Sequence, residues 1–209
     1  MALTMNQPRA IEARDAFVQL AGVADAFERY ANPHAVRIAA IAAELAGVFH
    51  LAQQDRTSLQ TASLLHDLGE VAMERDYIQR EGSLTDEERE DLTRHPVIGE
   101  KEAARVGADR PAQLLVRWHH EWWNGCGYPD ALRREEIPLA ARILHVTDAY
   151  AALTDVRPFR PARSSERAKR EIVLRAGIEF DPLVVRALLS LESIPELRSY
   201  ATGDNSLYR

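Results

Sequence analysis

Apolar residues recur at helical intervals along almost the whole chain, and no alternating run of strand length interrupts them. "AIEARDAFVQLAGVADAFERYA" places Ile11, Phe17, Leu20, Val23 and Phe27 along one face of a first helix. "NPHAVRIAAIAAELAGVF" predicts a second, with Asn32 as N-cap, Pro33 at the first helical position and a core face of Val36, Ile41, Leu45 and Val48. "QQDRTSLQTASLLHDLGE" reads as one helix ending near Gly69. "SLTDEEREDLTRH" carries Thr85 followed by Glu88, a capping-box pattern that starts a short polar helix. Two more helices, "PVIGEKEAARVG" and "RPAQLLVRWHH", begin at or near prolines.

The period then lapses. "EWWNGCGYPDALRREEIP" is a loop of a length at which loops tend to carry function. "LAARILHVTDAYAALT" resumes helix, and "DVRPFRPARSS" is a basic, proline-punctuated loop. "ERAKREIVLRAG" and "DPLVVRALLSLE" close the fold, the latter capped by Asp181 ahead of Pro182. The expectation is an all-α protein: an N-terminal helical extension over 1–30, one helical bundle domain over 31–195 and a tail over 196–209. The extension either packs on its own domain or forms a homodimer.

Composition narrows the class. The chain has 209 residues with a formal net charge of −6, which argues against a protein that coats a nucleic-acid polymer or an anionic membrane. An anionic substrate stays open, because a metal site supplies local positive charge. No run approaches the roughly 20 apolar residues of a membrane span. The N-terminus lacks the apolar core of a signal peptide. A single cysteine, Cys126, precludes an internal disulfide and fits a reducing cytoplasm. These features together predict a cytoplasmic location.

Candidate chemistry lies in the histidines. His66 and Asp67 sit side by side inside the apolar run "SLLHDLGEVAM", where both are costly to bury without partners. His34, His95, the doublet His119–His120 and Asp148 complete an ordered set of imidazoles and carboxylates. Such donors suit a borderline divalent transition metal, and the set exceeds the three or four ligands of one zinc ion. Any one of these histidines alone reads as an ordinary core residue. His50 and His145 fall outside the pattern. His145, one turn before Asp148, reads as a surface or packing histidine, with a supporting role behind the ligands as the alternative.

The ordered set resembles the metal-binding signature of the HD superfamily of phosphohydrolases. "HHEWWNGCGYP", residues 119 to 129, resembles the loop signature of its HD-GYP subfamily. "RHPVIGEKEA", "ARILHVTDAYAALT", "RPFRPA" and "EFDPLVV" resemble further blocks of that subfamily in the same order. The resemblance implies an HD-GYP domain that hydrolyses the bacterial second messenger cyclic di-GMP to pGpG and/or GMP. It implies two divalent metals, iron or manganese, with Asp67 bridging them and His66 and Asp67 as the catalytic pair. His34, His66 and Asp148 would complete one coordination sphere, and His95, His119 and His120 the other. Two such metals would hold a bridging hydroxide as nucleophile. It also implies a diguanylate cyclase domain as a partner at the GYP surface.

Several positions depart from the family pattern. Glu70 stands where the family carries lysine; facing the pocket it would repel a dianionic ligand, and facing solvent it would do nothing. That substitution keeps two alternatives open: a signalling or binding module with little turnover, or a phosphohydrolase of another cyclic dinucleotide or nucleotide. Tyr30, four residues before His34, is a poor match for the glutamate that binds a third metal in some members. Glu28 is nearby but out of helical register, so two metals are predicted rather than three. Asn124 replaces the usual loop aspartate, and Phe159 the usual tyrosine. Glu121, Asn124, Gly125, Gly127, Tyr128 and Pro129 make up the GYP loop. Arg157 and Arg160 are the expected phosphate contacts, with Lys101, Glu70 and Arg37 as further substrate-side candidates. Trp122 and Trp123 would either stack on a base or pack against their own scaffold.

Overall fold

Two glycines set close helix contacts beside the site. The computed structural model describes residues 7–156 and 161–191, with side chains from residue 13. Among these residues the helices are α1 (Gln7–Phe27), α2 (His34–Val48), α3 (Gln53–Leu65), α4 (Leu68–Met73), α5 (Asp76–Gln79), α6 (Asp86–Leu92), α7 (His95–Arg105) and α8 (Arg110–Trp118). After a 3-10 turn at Arg134–Glu136 come α9 (Leu139–Thr154), α10 (Ser165–Leu174) and α11 (Pro182–Ser190). The only pairing of strand type among them is an isolated bridge between Ala176 and Phe180. A β-carbon on Gly69 of α4 would drive into the His95 carbonyl and meet the Gly99 amide nitrogen at 2.8 Å. A β-carbon on Gly99 of α7 would meet the Val116 side chain of α8 at 3.0 Å. Gly69 thus lets α4 and α7 pack backbone to backbone, and Gly99 leaves room for Val116 between α7 and α8.

The rest of the core joins α2 to α3 and α9, and α3 to α8, through Ile38, Ile41, Leu45, Leu59, Leu65, Val116, Ile143 and Leu144. Helix starts follow local chemistry. Thr85 and Glu88 form the expected capping box on α6, and Asp181 accepts from the Leu183 amide at the head of α11. Asp109 and Ser164 cap α8 and α10 in the same way. Each such cap is worth about 1 kcal/mol.

The structure corrects three expectations. The helix predicted to run to Gly69 breaks after Leu65, and α4 restarts it at Leu68. The break leaves His66 and Asp67 in the turn, where the Asp67 carbonyl accepts from the Glu70 amide. Asn32 does not cap α2; Pro33 occupies that position, and the Ala35 amide instead donates to Asp25 Oδ1 of α1. The buried face of α2 is Ile38, Ile41, Ala42 and Leu45, with Val36 half-buried and Val48 exposed. α1 packs on α2, α3 and α4 and contributes Ala21 and Ala24 to the core. The loop residues Trp122 and Trp123 lie under the guanidinium groups of Arg175 and Arg142, so they pack on the scaffold.

Candidate metal centre

The turn between α3 and α4 points His66 and Asp67 inward, and the N-terminus of α7, held close by Gly69, brings His95 beside them. His119 and His120 follow the last residue of α8, His34 opens α2, and Asp148 lies within α9. Residues spread over more than a hundred positions therefore meet in one place. His34, His66 and Asp148 offer ligand atoms within 4.8 Å of one another, and so do His95, His119 and His120. Asp67 lies between the two groups. Its Oδ2 is 2.7 Å from His66 Nε2, and its Oδ1 is 3.6 Å from His95 Nε2 and 3.8 Å from His119 Nε2.

The imidazoles are turned by their outer nitrogens. Nδ1 donates to the Ser63 carbonyl from His66, to the Leu92 carbonyl from His95 and to the Val116 carbonyl from His119, at 3.1, 2.8 and 2.6 Å. In each case the acceptor is the carbonyl three residues earlier, so the helical turn itself orients the ring. His34 donates Nδ1 to Asp155 Oδ2 at 2.7 Å, and Arg37 holds the other Asp155 oxygen at 2.5 Å. A carbonyl can only accept, so each Nε2 carries its lone pair inward, the arrangement of a metal-binding histidine with its supporting partner.

Nε2 of His34 and of His66 are buried and lack a partner of hydrogen-bond geometry among the described residues, although carboxylate oxygens of Asp148 and Asp67 lie 3.4 and 2.7 Å away. Such orphaned nitrogens are rare without a reason. Together with the imidazole–carboxylate donor set, they fit a pair of transition-metal ions. In the metal-free site two of these rings take up a proton at the inward nitrogen instead of a metal. Burial disfavours charge on His34, but Asp148 and Asp155 outweigh it and push the pKa up to about 9. Burial likewise opposes charge on His66, yet Asp67 and Asp148 raise it to about 10. His119 is driven down to about 3 by burial and by neighbouring His95 and His66.

The centre opens into a cavity of about 340 Å³, lined by Glu28, Tyr30, Glu70, Tyr77, Ile78, Arg80, Leu84, Leu92 and Tyr128 besides the ligand-type residues. Glu70 faces this cavity and is buried. Burial and the nearby Glu28, Asp67 and Asp148 carboxylates hold its pKa well above the ordinary carboxylate value. Glu28 is buried in the same wall: α1 ends at Phe27, so helical register does not govern the position. Tyr30 stacks on His34, ring centroids 3.8 Å apart.

The GYP loop wraps the His119–His120 side. The Glu121 carboxylate accepts from the Asp130 and Leu132 amides, and Asn124 Oδ1 from the Cys126 amide, so both side chains shape the loop. Gly125 takes a φ of +85°, and a β-carbon at Gly127 would collide with the His120 carbonyl. The Tyr128 ring packs on His120 and reaches His95. Its far side, with Pro129, borders a separate depression that contains exposed Lys101, so the structure does not bring Lys101 into the cavity. Arg37 is engaged with Asp155. Arg157 and Arg160 lie outside the described residues, as does Phe159. His145 is buried rather than on a helix surface, its ring set between His120 and Phe180 with Glu179 Oε1 3.5 Å away. Sequence reasoning missed Asp155 and Asp130, which clamps Arg117 and the Trp118 indole, and set Glu28 aside.

The HD domain family model matches residues 20–184. A cyclic di-GMP phosphodiesterase of Vibrio cholerae is 33% identical over 207 residues, covering 91% of this chain and 42% of the relative. A 3'3'-cGAMP-specific phosphodiesterase 2 of the same species is 29% identical over 172 residues, covering 81% of this chain and 33% of the relative. This chain thus spans less than half the length of either. Among solved structures, Bd1817, an HDG"Y"P protein from Bdellovibrio bacteriovorus, shares the fold with a TM-score of 0.62 at 19% identity, over 75% of this chain and 50% of that one. No helix among the described residues is long and apolar enough to cross a membrane.

Proposed function

Since the chain belongs to the HD-domain family, in its HD-GYP subfamily, we propose that it is a metal-dependent phosphodiesterase that hydrolyses cyclic di-GMP to pGpG and/or GMP. The observation that carries this reading is the Asp67 carboxylate, whose two oxygens face two separate histidine clusters. One divalent ion would be held by His34, His66, Asp148 and Asp67 Oδ2, the other by His95, His119, His120 and Asp67 Oδ1. Iron or manganese suits this mixture of imidazole and carboxylate. When bound, such a pair supplies an activated water and stabilises negative charge on an in-line displacement at phosphorus.

The protein's own residues do the rest. The Nδ1 hydrogen bonds to Ser63, Leu92, Val116 and Asp155 hold four rings in one tautomer and orientation, which is the preorganisation catalysis needs. Asp67, Asp148, Glu28 and Glu70 give the cavity a negative field that repels a phosphodiester, so substrate enters only when cations offset it. Tyr77, Ile78, Leu84 and Leu92 form an apolar wall beside the centre, suited to a nucleobase. Arg80 stands at the same wall, held by Glu88 through two bonds of 2.7 and 2.8 Å. Arg157 and Arg160 would meet the substrate phosphates from the loop after α9.

The test pairs a metal count with turnover on one anaerobically prepared sample, offering cyclic di-GMP and 3'3'-cGAMP separately. The expected result is about two ions per chain and release of a linear dinucleotide or mononucleotide from cyclic di-GMP. Loaded protein that cleaves only 3'3'-cGAMP would reassign the substrate. Loaded protein that cleaves neither would mark a binding module.

A further inference from the structure

We infer that Glu70 is an additional carboxylate ligand of the second metal, the one on His95, His119, His120 and Asp67 Oδ1. This inference rests on the two-metal reading above. Glu70 lies in the first turn of α4, three residues after Asp67 in the turn that precedes the helix. Gly69, between them, seats that turn against the start of α7, which fixes Glu70 beside His95 with Oε1 4.0 Å from its Nδ1.

Ligand atoms of Asp67, Glu70 and His95 lie within 4.8 Å of one another, as tightly grouped as the two histidine clusters. His95 Nδ1 is committed to the Leu92 carbonyl, and the Nε2 of the same ring stands 3.6 Å from Asp67 Oδ1. The Glu70 group therefore shares its histidine and its aspartate with the second cluster instead of marking a separate place. Glu70 is only 8% exposed, and its carboxylate accepts no hydrogen bond among the described residues. A carboxylate buried in that way, with Asp67 at hand, lacks a cation or a donor. The nearest position that would provide one is the second metal.

Titrating metal-free full chain with Mn²⁺ by calorimetry tests this, using wild type, Glu70→Gln and Glu28→Gln. Glu28 lines the same cavity but lies outside the three-residue group, so Glu28→Gln reports the effect of removing a neighbouring cavity carboxylate. Wild type should take up two ions. Glu70→Gln should keep the step belonging to His34, His66 and Asp148, which also shows that it folds, and weaken the other at least tenfold, about the lower bound for losing a supporting partner. Glu28→Gln should weaken the second step clearly less than Glu70→Gln does. Equal binding by Glu70→Gln and wild type would overturn the inference. So would a Glu28→Gln loss as large as that of Glu70→Gln, or a third ion in wild type that Glu70→Gln alone abolishes. Wild type that binds no ion would overturn the two-metal reading itself, and the inference with it.

Discussion

At the scale of single residues, the supporting partners of the histidines are as informative as the histidines. Asp155 accepts from His34 and from Arg37 in a buried position, so its removal strands a ring nitrogen and a guanidinium together. Asp155→Ala is expected to cost roughly 3–5 kcal/mol of stability, the range for breaking a buried pair from one side. It should also weaken the first metal by about 10–100-fold. Denaturant unfolding and metal titration of the same variant check both numbers. The ligand-type residues were legible beforehand because their order along the chain, and not any one spacing, matched a known pattern. Asp155 belongs to no such pattern and becomes visible only when the far end of α9 is seen against the start of α2. Glu28 escaped for another reason: helical register was applied across a stretch where α1 has already ended.

Helix types and most helix starts followed from apolar periodicity and caps, which are local. What failed was whatever depends on a neighbour. The α3–α4 break, the donation of the α2 cap by α1 and the rotated face of α2 are all decided by packing that periodicity does not contain. Gly69 shows how much one such contact controls, since α4 and α7 carry Glu70 and His95, and Asp67 sits at the N-cap position of α4. Gly69→Ala should destabilise the protein by about 1–3 kcal/mol, as overpacking does, and loosen the second cluster's hold on metal. Gly22→Ala in α1 is the comparison, because a β-carbon there meets nothing within 4 Å. It should be neutral or stabilising by about 1 kcal/mol, as expected where glycine is replaced in an open helix. Thermal melts of the two variants side by side decide the matter.

For the molecule as a whole, charge is concentrated where the helices converge, and this ties stability to metal and to pH. Ions bound only by the folded state stabilise it by mass action, so a chelator should lower Tm. Metal-free protein has a second dependence. His34 and His66, raised to about 9 and about 10 from an ordinary 6.5, stabilise the fold when protonated. Their contribution is complete below about pH 6.5 and is lost as the pH climbs through those two values. The gap in Tm between loaded and stripped protein should therefore widen from pH 7 to pH 10. A constant gap across that range would contradict the assignment.

The seam between α1 and α2 has a practical corollary for anyone trimming this chain. A fragment beginning at residue 31 discards Asp25, which terminates the amide next to His34, along with Ala21, Ala24 and the buried Glu28. What looks from the sequence like an extension ahead of the domain is the hinge pin on which its first histidine is mounted.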